Sequence, residues 1–438
     1  MIALKRRLAE QIPPMRDRVK TTIKELGDHV ISDVTIAQAY GGMRGVKSLV
    51  TETSAVDPQE GIRFRGYSIP EIRAKLPTAP NGEQPLPEGL FYLLLTGEIP
   101  TVEEVAEITQ AWRGAEELPA HVATTLDALP KDLHPMTQLS IGISALQHDS
   151  IFAQRYQAGL AKTDLWEAMF DDSMRLIGRL PGVAAYIYRR SYRDGDHVAP
   201  AAKELDWAAN LAHMLGSEDE GFRELCRLYL TILADHEGGN VSAHATHLVG
   251  SALSDPYLAL SAGINGLAGP LHGLASQEVT RWILEMKEKL GGGVPSEQQM
   301  KDFVWETLNS GQVVPGYGHG VLRATDPRYM AQQEFAQTHM PDDENFKIVR
   351  MLYDVVPAIL KEQGKAKNPW PNVDAHTGPL FMHYGITEYP YFTVLFGVSR
   401  AIGVLSSLIW DRALGLPIER PKSVTTAWIE EQVSQTAS

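Results

Sequence analysis

Apolar positions recur with a helical period along most of the chain. Thr101 and Glu104 have the spacing of a capping box, and an apolar stripe ending at Trp112 follows them on one helix face. Ser296 and Gln299 repeat that signature ahead of a second stripe. The hydrophobic pattern therefore predicts a chain built mainly from amphipathic helices.

The alternation expected of a strand is confined to one short segment. Ile62 and Phe64 alternate with arginines between two glycines, which predicts one short β-hairpin. No succession of strand and helix units follows, which argues against a doubly wound sheet. We therefore predict a mainly α fold.

Glycine- and proline-rich stretches divide the chain. Those at 291–295 and 364–371 mark out a segment from about 275 to 383. We predict that residues 275–383 form a small domain, inserted into a larger helical domain made of residues 1–274 and 384–438.

Composition and charge narrow the possible functions. The 438 residues are 44% apolar and 21% charged, as in an ordinary globular protein. The formal net charge of −14 is opposite to that of a non-specific nucleic-acid binder, so we expect no nucleic-acid partner. Cys226 is the only cysteine, which excludes an intramolecular disulfide and a cysteine zinc site. No run of about eighteen apolar residues occurs, so no membrane insertion is expected.

Two glycine-rich segments resemble nucleotide-binding motifs without matching them. Val46 stands where a phosphate loop needs the glycine before its lysine. Gly316 and Gly318 lack the third glycine of a dinucleotide fingerprint, because Val321 stands at that position. Neither segment supports an NTPase or a dehydrogenase.

A group of histidines raises the question of a metal site. His236, His244 and His247 lie close together in the chain, but their spacing matches no standard ligand set. The residues around the second and third are small and suit tight helix packing, which favours structural histidines. A metal-dependent hydrolase using these three histidines remains the alternative from another class of function.

Three residues in breaker-rich segments are candidates for proton transfer. His272 and His319 lie in turns, and a turn histidine that precedes a helix is kept neutral by nearby amide dipoles. Asp374 lies in a proline- and asparagine-rich stretch that we interpret as a rigid loop able to hold a partly desolvated carboxylate. Capping or surface roles are the alternative for each.

Three arginines complete the candidate site. Arg328, Arg400 and Arg420 stand among apolar or proline-rich neighbours, and a buried arginine needs an anionic partner. Structural pairing with Asp411 or Glu419 is the simpler explanation. Taken together, the histidines, the aspartate and the arginines indicate proton transfer beside a small di- or tricarboxylate.

The chain resembles the citrate synthase family, in its eukaryotic-type homodimeric branch. The resemblance runs from about residue 4 to residue 423. Its most specific segments are 41–45, 60–66, 235–244, 266–274, 313–319, 372–376 and 418–423.

The resemblance implies a two-domain helical fold whose large and small domains meet at the active-site cleft. It implies that oxaloacetate and acetyl-CoA condense with water to citrate and CoA, the entry step of the tricarboxylic acid cycle, without a metal or other cofactor. By matching position, Asp374 is the base that removes a proton from the acetyl methyl group. His272 then hydrogen-bonds the enolate oxygen, and His319 polarises the oxaloacetate ketone.

The same resemblance implies the binding residues. Arg328, Arg400, Arg420 and His236 match those that hold oxaloacetate, and Arg420 reaches the site of the partner subunit in a homodimer. Lys162 stands where family members often carry an arginine, so charge is kept but bidentate geometry is lost. The residues that match the CoA site are Arg44, Lys162, Val313, Val314, Gly316, Tyr317, Gly318, Lys365, Ala366, Lys367 and Asn372.

One alternative lies within the family itself. A 2-methylcitrate synthase uses propionyl-CoA, and one methylene is worth only about 1–3 kcal/mol of discrimination. Gly320, where alanine is common in the family, would loosen the pocket beside His319. We expect a cytoplasmic protein, or a mitochondrial matrix protein in its mature form.

Overall fold

The computed structural model describes residues 2–201 and 205–436. Within those residues the chain forms twenty α-helices and one small sheet. The helices are α1 (Ala3–Leu26), α2 (Ile36–Tyr40), α3 (Ile69–Lys75), α4 (Pro87–Thr96), α5 (Val102–Arg113), α6 (Ala120–Asp127), α7 (Pro135–Leu146), α8 (Ile151–Gln157), α9 (Leu165–Tyr192), α10 (Trp207–Leu215), α11 (Glu220–Ile232), α12 (Val241–Ser251), α13 (Pro256–Leu267), α14 (Ala275–Lys289), α15 (Glu297–Asn309), α16 (Pro327–His339), α17 (Glu344–Gln363), α18 (Asp374–His383), α19 (Phe392–Leu414) and α20 (Thr426–Thr436). Short 3₁₀ turns cover Gln147–Asp149, Lys162–Asp164 and Tyr389–Tyr391. The predicted mainly α class is confirmed.

The sheet is a small antiparallel meander. Strands β1 (Ser54–Asp57) and β2 (Gly61–Phe64) pair as the predicted hairpin, with Ser54 opposite Phe64. A third strand, β3 (Tyr67–Ser68), extends that hairpin along the other edge of β2. Two residues are too few to give an alternating pattern, so the sequence carried no signal for β3.

Both predicted capping boxes are present. The Thr101 side chain accepts from the amide of Glu104, and the Glu104 carboxylate accepts from the amide of Thr101 at 2.8 Å. Ser296 and Gln299 form the same pair at the start of α15. Each box satisfies amide donors that the first helical turn leaves without partners.

The larger hydrophobic core surrounds α19. Almost every side chain of α19 is buried, and the helix packs against α4, α9, α12 and α13. Gly403 allows a close approach, because a Cβ there would lie 2.3 Å from the carbonyl oxygen of Ala234. The turn that follows α11 is thereby pressed against the middle of α19.

A second, smaller core is formed mainly by α14, α15 and α17. Its buried side chains include Val279, Met286, Val304 and Leu352. Helices α16 and α18 contribute to both cores, since their apolar side chains divide between the smaller core and the larger one. The two cores therefore meet along α16 and α18.

Among the described residues, one segment, Tyr389–Leu414, is long and apolar enough to cross a membrane, although it contains no unbroken apolar run of that length. Arg400 and several serines interrupt it, but its average hydropathy passes the same test. Nearly all of the segment is buried inside the protein, as the core helix α19.

Two arms extend along the surface with exposed apolar side chains. The arm between α1 and β1 exposes Val30, Ile31 and Tyr40, and the arm after α19 exposes Ile418 and Trp428. A hydrogen bond of 2.6 Å between the Tyr40 and Thr426 hydroxyls joins the two arms.

Candidate active site

His272 lies in the turn between α13 and α14, beside the first turn of α12. The backbone amide of Ser242 donates to its Nε2 at 3.3 Å, and the serine Oγ lies 2.9 Å from the same nitrogen. Because a backbone amide hydrogen cannot rotate away, Nε2 is the acceptor and the ring proton lies on Nδ1. Burial, helped by the charge of Arg400, lowers the pKa of His272 to about 4. The ring is therefore neutral at neutral pH and presents one N–H donor.

His319 is also neutral, and two backbone amides fix which of its ring nitrogens carries the proton. The backbone amides of Val321 and Leu322 both donate to its Nδ1 at 3.0 Å. The ring proton consequently lies on Nε2. Burial, followed by the positive charge of Arg328, lowers the pKa of His319 to about 4.

The loop that carries His319 is tied to the start of α18 by Asn372. The backbone amide of Asn372 donates to the Gly316 carbonyl at 2.9 Å, and its side-chain amide donates to the Gly318 carbonyl at 3.0 Å. Its Oδ1 accepts from the backbone amide of Asp374 at 3.0 Å. One asparagine therefore sets the position of two candidate catalytic segments.

Asp374 is the first residue of α18, so its interpretation as a loop residue was wrong. Residues 375–381 are all buried, so this helix lacks the one-sided apolar pattern that identifies a helix in sequence. Burial raises the pKa of the Asp374 carboxyl to about 7, although Arg328 and Arg400 act in the opposite direction. A carboxyl group in this state can take up a proton at neutral pH.

Arg400 projects from the centre of α19 and is almost completely buried. Its Nε and Nη1 have no hydrogen-bond partner among the described residues. Burial lowers its pKa to about 10, and Asp235 is the carboxylate that most opposes this shift. The pairing with Asp411 or Glu419 considered from the sequence is absent from the described contacts of Arg400. A buried guanidinium with free donors is suited to an incoming anion.

Arg328 lies at the start of α16 and has an internal partner. Its Nη2 donates to Asp326 Oδ2 at 2.7 Å and its Nε donates to Oδ1 at 3.1 Å. Both side chains are buried, and Arg328 lowers the pKa of Asp326 despite that burial. The pair orients the guanidinium, and its Nη1 lies outside the pair.

His236 completes the group from the turn after α11. Its Nε2 is buried and has no hydrogen-bond partner among the described residues, and its ring centroid lies 5.3 Å from that of His319. Burial, with the charge of Arg328, lowers the pKa of His236 well below its ordinary value. The preceding Asp235 fixes the turn, because it accepts from the hydroxyls of Thr53 and Ser54.

Six of the predicted site residues therefore lie within electrostatic reach of one another. They come from the turns after α11 and α13, the loop before α16 and the helices α16, α18 and α19. They are His236, His272, His319, Arg328, Asp374 and Arg400. The group combines neutral N–H donors, two guanidinium groups and one protonatable carboxyl, which suits a dicarboxylate and a proton transfer.

Three supporting residues escaped the sequence analysis. Asp326 neutralises Arg328, and Ser242 selects the tautomer of His272. Burial, followed by the charge of the nearby Asp374, raises the pKa of Tyr229 well above its ordinary value. A carboxylate two residues before an arginine was a readable signal for the first. The other two act through contacts between segments distant in sequence, which no local pattern reveals.

The remaining predicted residues lie at the periphery. Arg420 is exposed and has no ion pair or hydrogen bond to any described residue. Val314 and Gly316 are buried, Tyr317, Gly318 and Asn372 are half-buried, and Val313 is 80% exposed. The basic residues of the predicted CoA site and their neighbour are all exposed, namely Arg44, Lys162, Lys365, Ala366 and Lys367.

The histidines considered as metal ligands separate into two groups. His236 belongs to the site just described, whereas His244 contacts Glu419 at 2.9 Å and His247 contacts Asp411 at 2.7 Å. Within 2–201 and 205–436, no group of three or more His, Cys, Asp or Glu side chains is arranged to hold a metal ion. The histidine spacing that prompted the hydrolase alternative thus reflects ion pairs on α12.

Known proteins resemble the chain along nearly its whole length. The family model described as "Citrate synthase, C-terminal domain" matches residues 42–422. The mitochondrial citrate synthase of Xiphias gladius is 58% identical over 97% of this chain and 90% of that protein. The probable mitochondrial citrate synthase of Glossina morsitans morsitans is also 58% identical, over 98% of this chain and 92% of its own length.

Solved structures give the same answer for the fold. The crystal structure of citrate synthase from Pyrobaculum aerophilum is 28% identical with a TM-score of 0.75, covering 88% of this chain and 92% of that one. The family match and the named relatives identify an enzyme of the transferase class, and its architecture is mainly helical. The chain belongs to the citrate synthase family.

Proposed function

We propose that this cleft condenses oxaloacetate with acetyl-CoA and water to form citrate and CoA. The observation that carries the proposal is the half-buried Asp374 carboxyl, whose pKa is raised to about 7 by loss of hydration. It lies among neutral histidines and a buried arginine whose Nε and Nη1 have no partner among the described residues. Membership of the citrate synthase family supports the reaction and its place at the entry to the tricarboxylic acid cycle.

Oxaloacetate binds first to the arginines. Arg400 gives the donors that lack partners within the chain, and Arg328 gives the Nη1 that lies outside its pair with Asp326. Guanidinium groups match carboxylates bidentately, which accounts for arginine at both positions. His236 adds a donor from Nε2 in its neutral form, since that nitrogen has no other partner.

Enolisation of acetyl-CoA is the difficult step. The Asp374 carboxylate removes a proton from the methyl group, and the electron pair moves to the thioester oxygen. His272 donates from Nδ1 to that oxygen as its charge grows. A base and an oxyanion donor acting together are needed for so weak a carbon acid, and each contributes about 10²-fold or more.

Condensation and hydrolysis follow in the same cleft. The enolate carbon attacks the ketone carbon of oxaloacetate, and the ketone oxygen takes the Nε2 proton of His319 to become the hydroxyl of the product. His319 regains a proton from solvent, and the Asp374 carboxyl gives up the methyl proton to solvent. The product is a thioester of citrate and CoA. Water then adds to the thioester carbonyl, the carbon–sulfur bond breaks, and CoA leaves as the thiol with citrate as the second product.

The proposal includes a homodimer with shared sites. Arg420 has no partner among the described residues of its own chain and would complete the oxaloacetate site of the partner. The exposed apolar side chains of both arms, including Tyr40 and Trp428, offer surface for a second copy to cover. Residues 275–383, which contain the smaller core, would form the small domain that faces the rest of the chain across the cleft.

The proposed CoA site lies along the loop 313–318 and the basic segment 365–367. Arg44 and Lys162 would add positive charge for the CoA phosphates. The positive φ of Gly316 and Gly318 lets the loop backbone turn close to a bound chain. We also propose that the protein lies in the mitochondrial matrix, because both relatives described above are named as mitochondrial. We further propose that the reaction needs no metal cofactor.

The acyl group is the open point of specificity. Gly320 is exposed and a Cβ there would meet no atom within 4 Å, so this position does not separate acetyl-CoA from propionyl-CoA. Release of thiol from acetyl-CoA and from propionyl-CoA, each with and without oxaloacetate, tests the proposal. We expect oxaloacetate-dependent release that favours acetyl-CoA. A preference for propionyl-CoA would make the protein a 2-methylcitrate synthase, and thiol release without oxaloacetate would contradict both reactions.

A further inference from the structure

The ion-pair cluster on α12 that the proposed reaction does not use lies directly beside Arg420. It consists of His244, His247, Asp411 and Glu419, and we call it the α12 cluster. His244 Nε2 lies 2.9 Å from Glu419 Oε1, and His247 Nε2 lies 3.5 Å from Glu419 Oε2. The other nitrogen of His247 contacts Asp411 Oδ2 at 2.7 Å.

Glu419 is attached to α12 through its backbone as well. Its amide donates to Ser251 Oγ at 3.0 Å, at the last turn of the helix. One residue of the arm after α19 is therefore hydrogen-bonded to α12 at two points, through its amide and through Oε1, while its Oε2 faces His247 without a hydrogen bond. The two residues that flank Glu419 in the chain are exposed: Ile418 is 63% exposed, and Arg420 is also exposed.

The electrostatics of the cluster favour a charged His247. Both of its ring nitrogens face carboxylates, and the hydrogen bond to Asp411 raises its pKa against the effect of burial. When protonated, the ring donates from Nδ1 to Asp411, and its Nε2 faces Glu419 Oε2 at 3.5 Å without a hydrogen bond. The charge of Arg412 opposes protonation. Such charge-assisted contacts hold a side chain more firmly than neutral ones.

The backbone then directs the next residue outward. A residue before proline is restricted to extended conformations, and Arg420 precedes Pro421. In an extended chain, neighbouring side chains point to opposite sides. With the Glu419 side chain held against α12, we expect the Arg420 side chain to project from the opposite side of the arm, in line with its exposure.

We infer that Glu419, held by His244 and His247, is a positioning residue for oxaloacetate binding, because it fixes the place from which Arg420 reaches the partner's site. The inference rests on the proposed role of Arg420. The same helix supports His272 at its first turn through Ser242, so α12 carries a contact for its own site and an anchor for the neighbouring one.

The test is a double-mutant cycle with Glu419→Gln, Arg420→Ala and the combined variant in the full-length enzyme. The glutamine keeps the size of the side chain but removes the charge and places an N–H donor toward the protonated His247. We expect Glu419→Gln to raise the KM for oxaloacetate about fivefold or more, with kcat and the KM for acetyl-CoA nearly unchanged. In the Arg420→Ala background, the same substitution should add nothing.

Controls separate positioning from damage to the fold. Glu430→Gln removes an exposed carboxylate from the same arm and should leave all constants unchanged. His244→Gln disturbs the cluster from a partly exposed position, keeps the core intact, and should raise the KM for oxaloacetate in the same way. Native mass spectrometry and thermal melting check assembly and folding of every variant.

The outcomes are distinct. If Arg420→Ala raises the KM for oxaloacetate but Glu419→Gln and His244→Gln do not, Glu419 does not position Arg420. The proposed role of Arg420 itself then stands. An equal effect of Glu419→Gln in both backgrounds also overturns the anchor, because the effect would not pass through Arg420. If Arg420→Ala leaves the KM unchanged, the proposed role of Arg420 fails, and the inference fails with it.

Discussion

Asp374 owes its chemistry to its surroundings at the junction of the two cores. Loss of hydration raises its pKa to about 7, while the guanidinium groups of Arg328 and Arg400 keep part of the population ionised. A fully exposed aspartate would be too weak a base, and one without nearby cations would remain protonated. The neighbours of Asp374 thus keep its pKa between these two limits.

Replacing that carboxyl should remove catalysis and spare binding. In Asp374→Asn we expect kcat to fall by about 10²–10⁴-fold, because the base is lost and the side-chain volume is kept. Oxaloacetate should still bind, since neither arginine is altered, and calorimetric titration measures this directly. A variant that keeps more than about a tenth of kcat would require a different base.

The same pKa predicts the pH dependence of the rate. The base works as the carboxylate, so kcat/KM for acetyl-CoA should rise with pH and reach half its plateau near pH 7, the pKa of Asp374. His272 and His319 have pKa values of about 4, so both stay neutral over the whole pH range in which the rate rises. Steady-state rates across the pH range check this. A profile that stays flat down to pH of about 5 would mean that an ordinary carboxyl group acts as base.

At this scale the sequence was informative about residue types and less so about their partners. The sequence predicted a neutral His272 and His319 from nearby amide dipoles, whereas burial, followed by the charges of Arg400 and Arg328 respectively, lowers their pKa values. The free donors of Arg400 and the pairing of Arg328 with Asp326 were not predictable, because burial depends on packing between segments far apart in the chain.

Helices set the precision of the site, and α19 shows how. Gly403 lets α19 approach the turn that holds His236, with a Cβ position 2.3 Å from the Ala234 carbonyl and 2.6 Å from Asp235 Cβ. Backbone atoms cannot yield as a flexible side chain can. The contact therefore fixes the distance between the buried arginine on α19 and the histidine opposite.

Adding one methyl group at that contact should be costly. We expect Gly403→Ala to lower the free energy of unfolding by about 1–3 kcal/mol and to weaken oxaloacetate binding, because the turn before His236 must move. Gly182→Ala, within α9, is the matched control, since its Cβ would meet only the Glu116 carbonyl at 3.4 Å. There the better helix propensity of alanine should be neutral or favourable by up to about 1 kcal/mol. Denaturant unfolding of both variants measures the difference, and equal stability would contradict the close contact.

Helix prediction succeeded where one face of a helix meets solvent. The capping boxes and apolar stripes of α5 and α15 were readable because each helix has a polar side. Helix α18 is buried on most sides and contains Pro379, so the periodic signal disappeared and Asp374 was assigned to a loop. The error follows from burial, which removes the contrast on which sequence patterns depend.

For the whole molecule, the central question is whether one chain holds a complete site. At an oxaloacetate concentration near the KM of the unaltered enzyme, Arg420→Ala protein should retain little activity, and Asp374→Asn protein should be nearly inactive at any concentration. After subunit exchange, one site of each heterodimer would receive both intact residues and regain activity, while the other would carry both lesions. Recovery is measured as thiol release after mixing. Heterodimers seen by native mass spectrometry without recovered activity would show that Arg420 acts within its own chain.

The extreme apolarity of α19 matters before the protein has folded. During synthesis or transport, a lipid bilayer and the protein core compete for Tyr389–Leu414, which is long and apolar enough for either. Arg400 stands at the middle of that segment, where a charged side chain disfavours membrane insertion by about 2.5–3.5 kcal/mol. The arginine proposed to bind a substrate carboxylate therefore also disfavours insertion of the unfolded chain into a membrane, relative to burial in the protein core.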